Sequence, residues 1–104
     1  MKITLFLNGE NKTFTKLFVS ARWMRKALEL RKEMNLNNLS ADDVDAALHF
    51  VVELFDKQFT VDDIYDGVAY DELVSTVFDG VFMIVLQGRK QPIADESGNE
   101  KKQV

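Results

Sequence analysis

Asn8-Gly9 follows a run in which apolar and polar residues nearly alternate, Ile3, Leu5 and Leu7 against Lys2 and Thr4. Asn-Gly between two such runs is the strongest short-range hairpin signal, because a type I′ turn requires positive φ at both central residues. The strand pairing at the N-terminus is therefore predicted to be antiparallel. The returning strand is expected from about Lys12 to Val19.

Beyond it the spacing turns helical. Ser20 reads as an N-cap whose hydroxyl could take an orphan amide. Trp23, Ala27, Leu30 and Met34 then recur at intervals of four, three and four, with Met24 and Leu28 widening the stripe, which predicts an amphipathic helix over residues 21–34. Asn35 to Asn38 should end it. Ser40, with Asp43 three places on, forms an approximate capping box for a second helix with a buried stripe of Val44, Ala47, Leu48, Val51 and Phe55. A third helix should begin after Thr60, again with an acid three places on at Asp63, and be interrupted near Gly67.

The last element admits two readings. Leu73, Val74, Val77, Phe78 and Val81 fit a helix, whereas Val81-Phe82-Met83-Ile84-Val85-Leu86 alone could be a buried strand. We take one continuous helix over about 71–87. Its second half is apolar all round, so the core or another chain must cover it. After Gly88 the chain becomes polar. The expected architecture is α+β, mostly α: an N-terminal β-hairpin, three to four packed helices and a flexible C-terminal tail, with residues 1–88 as a single helix-rich domain and 89–104 as the tail.

At 104 residues, 46% apolar and 29% charged, the chain has the size and composition of one globular domain. It holds eight Phe and no Cys, so disulfides, thiolate metal sites and thiol catalysis are excluded. Met1-Lys2-Ile3-Thr4 does not open a long apolar run with a cleavage site, and the longest apolar run, Val81 to Leu86, is far short of a membrane span. Neither a signal peptide nor a membrane partner is expected, and the expected location is cytoplasmic.

Charge is sorted by position. Residues 1–39 carry eight Lys/Arg against three Glu, whereas residues 40–79 carry eleven Asp/Glu against the single Lys57, in a chain of net charge −4. A basic end and an acidic middle attract each other within one molecule or head to tail between copies. The acidic balance argues against nucleic acid as the main ligand, since that affinity comes largely from neutralising phosphates. The basic stretch from Arg22 to Lys32 reads as a solvated or ion-paired helix face.

Chemistry-bearing constellations are scarce. His49 has no second His or Cys to share a metal, and a structural or surface role accounts for it. Asp62, Asp66 and Gly67 occupy the first, fifth and sixth places of a calcium loop, yet Ile64 stands at the third and Leu73 at the twelfth, where a bidentate carboxylate is required. Neither a phosphate-binding glycine loop nor a nucleophile elbow is present, and no cofactor is implied. Phe78, Phe82 and Met83 are core residues by default; the sharper alternative is an apolar patch for a partner, with Phe78, Val81, Phe82 and Ile84 as the candidate partner-binding residues.

The runs Phe14-Thr15, Phe18-Val19-Ser20-Ala21-Arg22, Arg25-Lys26-Ala27-Leu28-Glu29-Leu30 and Phe59-Thr60-Val61-Asp62-Asp63-Ile64-Tyr65-Asp66-Gly67 resemble the tail assembly chaperones of long-tailed bacteriophages. The resemblance implies a noncatalytic, nonstructural protein of the host cell cytoplasm that binds the tape measure protein, a very long helical chain, and keeps it soluble while tail subunits assemble. It also implies a longer form made by a programmed ribosomal frameshift near the end of the gene, through which the major tail protein is recruited. Lys101-Lys102 is suggestive there, because adjacent lysines can be written in adenine-rich, slippery codons. With the charge split, this predicts a homo-oligomer that coats its client by repetition. The rival reading is a small acidic adaptor or regulator unrelated to tails. An enzyme is disfavoured by the lack of convergent polar groups.

Overall fold

In the computed structural model, which describes residues 1–91, Asn8 and Gly9 both take positive φ, 54° and 82°. They join β1 (Lys2–Leu7) to β2 (Glu10–Thr15) as an antiparallel pair running from Lys2 opposite Thr15 to Leu7 opposite Glu10. The returning strand ends sooner than the expected Val19. Past Thr15 the last rung joins Met1 and Lys16, and the Lys16 ammonium turns to Asp56 at 2.8 Å. Leu17 and Phe18 then run free in the connection to α1. Ile3 and Leu5 point into the core while Lys2, Thr4 and Phe6 face outward, the period-two pattern of a half-covered sheet.

Four helices follow the hairpin. They are α1 (Ala21–Arg31), α2 (Ala41–Leu54), α3 (Val61–Gly67) and α4, which is π-helical over Val74–Phe82 and α-helical over Met83–Leu86. Of these, α3 packs on β1. The capping boxes at α2 and α3 form in both directions. The Ser40 hydroxyl accepts from the Asp43 amide at 3.1 Å and the Asp43 carboxylate accepts from the Ser40 amide at 3.2 Å; Thr60 and Asp63 repeat the exchange at 3.0 and 2.9 Å. Each satisfies two orphan amides, of which one cap alone is worth roughly 1 kcal/mol. Ser20 departs from expectation, because its backbone is extended as an N-cap's should be but its hydroxyl takes no amide of α1. Tight turns from Glu33 to Leu30 and Met34 to Arg31 carry the chain from the end of α1 to Met34.

The last element is helix rather than strand, but not the plain α-helix expected over 71–87. Its Met83 amide donates to the Phe78 carbonyl, five residues back. Widened turns bring the Ser75 carbonyl oxygen to within 2.9 Å of where a Cβ on residue 80 would stand, a position only glycine occupies without a clash. The apolar doublets Val77-Phe78, Val81-Phe82 and Val85-Leu86 recur every four residues, and all six residues are buried. At about 3.6 residues per turn such doublets drift around an α-helix, whereas wider turns hold them more nearly on one face. That face is covered by α1 and α2.

Six of the eight Phe make two aromatic chains. Trp23, Phe50, Phe82 and Phe78 meet edge to face at centroid distances of 5.6, 5.4 and 6.3 Å, joining α1, α2 and α4. Phe14, Phe59 and Phe55 meet at 4.9 and 5.5 Å and fasten the hairpin to the loop after α2. The edge-to-face pairs of the first chain each add about 0.5–1.5 kcal/mol beyond their buried area.

The polar run after Gly88, expected as tail, includes a side chain bound to the fold. The Gln91 amide nitrogen donates to the carbonyls of Lys2 and Gly80 at 2.8 and 2.9 Å, and its oxygen accepts from the Lys2 amide at 2.7 Å. Lys101-Lys102 and the rest of the expected tail, 92–104, lie outside the described residues.

Candidate interaction surface

The four residues expected to form a partner-binding patch lie inside the protein. Phe78 is 3% exposed, Val81 1%, Phe82 0% and Ile84 3%. Phe78, Val81 and Phe82 belong to the main core, and Ile84 is buried apart from it. In this packing none of them presents a surface to a partner, so the apolar patch expected there is corrected to core. The physical reason is that α1 and α2 cover the apolar second half of α4 within one chain.

Exposed apolar surface lies elsewhere. In the β2–α1 connection Leu17 is 94% and Phe18 76% exposed, and on α1 Met24 and Leu28, one turn apart, are each about two-fifths exposed. Arg22, Arg25, Lys26, Arg31 and Lys32 share this segment, making it both apolar and basic. A second group comprises Phe6, Tyr70 and Val74, set among the acidic residues Asp66, Asp71 and Glu72. The signal for Leu17 and Phe18 was present in the sequence as two large apolar residues just outside the hairpin's alternation. A strand expected to run on to Val19 takes in both residues, whereas β2 ends at Thr15.

The two charged segments hardly neutralise each other. Among the described residues the single ion pair joining them is Lys16–Asp56. Arg25 pairs with Glu29 along α1, Lys57 in the turn after α2 pairs back to Glu53, and Lys26 lies 4.6 Å above the Trp23 ring. Asp43 and Asp63 are occupied as caps. Asp42, Asp62, Asp66, Asp71, Glu72 and Asp79 have no cationic partner among the described residues, which leaves an acidic surface open to other molecules. Asp62 and Asp66, the acids at the calcium-loop positions, are exposed surface groups. No cluster of three or more His, Cys, Asp or Glu side chains is arranged to hold a metal among the described residues.

Asp45 has a distinct role. Its carboxylate accepts from the Tyr65 hydroxyl, tying α2 to α3. That hydrogen bond, then desolvation and then the carboxylate charge push the Tyr65 pKa up to about 12. His49 lines a groove of about 410 Å³ between α1 and α2 with Lys26, Glu29, Glu33 and Glu53, while Trp23 and Phe50 supply its apolar part. His49 and the three glutamates there do not converge on one point as metal ligands would. Among the described residues no helix is long and apolar enough to cross a membrane.

These features define a class of protein: a small helix-rich α+β domain whose chemistry lies in exposed apolar groups and segregated charge. The family description "phage tail chaperone protein" matches residues 1–103, and the chain belongs to that family of phage tail assembly chaperones. Comparisons with curated proteins and with solved structures gave no match. The family supports a chaperone role in tail assembly, with tail proteins as the general class of partner.

Proposed function

We propose that this protein is a noncatalytic chaperone that binds the tape measure protein and keeps it soluble in the host cytoplasm while the tail assembles. A tape measure chain exposes apolar helical stripes until tail subunits cover them. Copies of a small domain that each mask one stretch would prevent its aggregation, with weak contacts adding through avidity. The observation that carries this reading is the family match over nearly the whole chain. The exposed Leu17 and Phe18, beside the basic face of α1, supply the contact in place of the buried Phe78, Val81, Phe82 and Ile84. Unneutralised basic and acidic segments supply head-to-tail contacts between neighbouring copies, making a homo-oligomer along the client. A frameshifted longer form would add recruitment of the major tail protein.

The test is co-expression with the tape measure protein of the same phage. The wild-type chain should move that protein into the soluble fraction. The double variant Leu17→Asp with Phe18→Asp should keep its own circular dichroism, because both side chains are solvated, and should lose the effect. Equal solubilisation by the double variant would remove this contact surface, and no solubilisation by the wild-type chain would remove the tape measure reading.

A further inference from the structure

The outer edge of β1 is incompletely paired. Met1 and Lys16 exchange both of their backbone hydrogen bonds at 2.8 Å, so the alternation of an antiparallel ladder directs Ile3, Leu5 and Leu7 to β2 as well. Lys2, Thr4 and Phe6 must then point their amides and carbonyls the other way. Lys2 does so onto the side chain of Gln91, whose oxygen accepts from its amide and whose nitrogen donates to its carbonyl, as the backbone of a neighbouring strand would. Thr4 and Phe6 receive no such partner among the described residues. They border a groove of about 600 Å³ whose far wall is the end of α3 and the start of α4. Gly67 keeps that wall close, since a Cβ there would stand 3.1 Å from the Phe6 carbonyl oxygen. Asp66 and Glu72 line the groove and no basic side chain does.

We propose that this groove is a strand-addition site for an extended basic peptide segment of a partner protein, which pairs with the backbone of Thr4 and the amide of Phe6 and sets its Lys or Arg side chains against Asp66 and Glu72. Main-chain pairing supplies the affinity in such sites and side-chain pockets the selectivity. Gln91 fixes the register by closing the edge at Lys2, which limits the added strand to the Thr4–Phe6 stretch. The charge of the lining selects a cationic segment over an acidic one. This inference goes beyond the tape measure reading and does not depend on it, because it concerns an extended segment and the opposite charge from the face of α1.

The probe is the end-capped heptapeptide Lys-Val-Lys-Val-Lys-Val-Lys, titrated into the isotope-labelled full chain and followed by amide NMR and hydrogen exchange. At saturation the Thr4 and Phe6 amides should shift, and their exchange should slow by about tenfold or more. The corresponding Glu-Val peptide should not bind. Neither should the lysine peptide N-methylated at every internal residue, which keeps the charge but not the donors. Glu72→Lys, a change at a solvated position, should weaken binding of the unmethylated peptide. Equal binding of the methylated peptide, shifts confined to other acidic surfaces, or no binding at millimolar peptide would overturn the proposal. Protection of Thr4 and Phe6 without peptide, growing with protein concentration, would overturn it in favour of a second copy.

Discussion

Phe82→Ala and Phe18→Ala delete the same atoms at positions of opposite burial, and the pair separates core from surface. Phe82 is wholly buried, edge to face with Phe50 at 5.4 Å and with Phe78 at 6.3 Å, whereas Phe18 is 76% exposed. Removing a buried phenyl forfeits its transfer free energy and leaves a cavity, together about 3–5 kcal/mol. Against a typical domain stability of roughly 5–15 kcal/mol, that is a large share of the whole. At roughly 4–8 °C per kcal/mol the melting temperature should fall by at least about 12 °C. With a urea slope of about 1–3 kcal/mol per molar, the midpoint should fall by about 1 M or more. Phe18→Ala should stay within about 0.5 kcal/mol of wild type. Urea titrations followed by circular dichroism read both variants, with the slope checked for constancy. A Phe82→Ala protein within 1 kcal/mol of wild type at unchanged slope, taking the order-of-magnitude cost above, would refute the packing of α4 described here.

Gly80→Ala should cost about 1–3 kcal/mol, because its Cβ would meet a backbone oxygen, that of Ser75, which cannot swing aside; a thermal melt at wild-type midpoint would mean that α4 is not widened there. Lys57 holds φ 58° without being glycine. Lys57→Gly should therefore raise stability by about 1 kcal/mol, since the exposed pair with Glu53 that it loses contributes little; chemical denaturation reads the change, and a less stable variant would contradict it. The Tyr65 pKa is raised to about 12 in the folded chain, so the protonated phenol is the form that favours folding. Its contribution is fully present below the ordinary value of about 10 and is lost as pH rises through about 12. Ultraviolet titration of Asp45→Asn should show the tyrosine transition moving down toward the ordinary value, and an unmoved transition would exclude Asp45 as the cause.

The features legible in the sequence were those set by neighbours in the chain. Asn8-Gly9 specifies its turn through positive φ, and Ser40 with Asp43 and Thr60 with Asp63 specify their helix starts through hydrogen bonds spanning three residues. What depended on distant partners was not legible. Ser20 has the right residue type and backbone for a cap, but no α1 amide comes to its hydroxyl. The run from Phe78 to Ile84 has the composition of a docking patch as much as of a core, and the covering helices α1 and α2 decide between them. The period of four in α4's doublets is visible in the sequence, where it fits an ordinary helical stripe equally well. Gln91 gave no signal at all: a glutamine in a polar run binds β1 because the fold brings Lys2, 89 positions away in sequence, beside it. Charge segregation was plain from the sequence, and the structure adds that little of it is consumed internally.

The claim that copies of this protein cover a long helical client by repetition is tested most directly by counting copies. The complex with the tape measure protein, purified from co-expression with the client at full length and at half length, can be weighed by light scattering or native mass spectrometry. The account predicts many copies per client chain, with the number on the half-length client close to half that on the full-length one. A fixed small number of copies on both would contradict it.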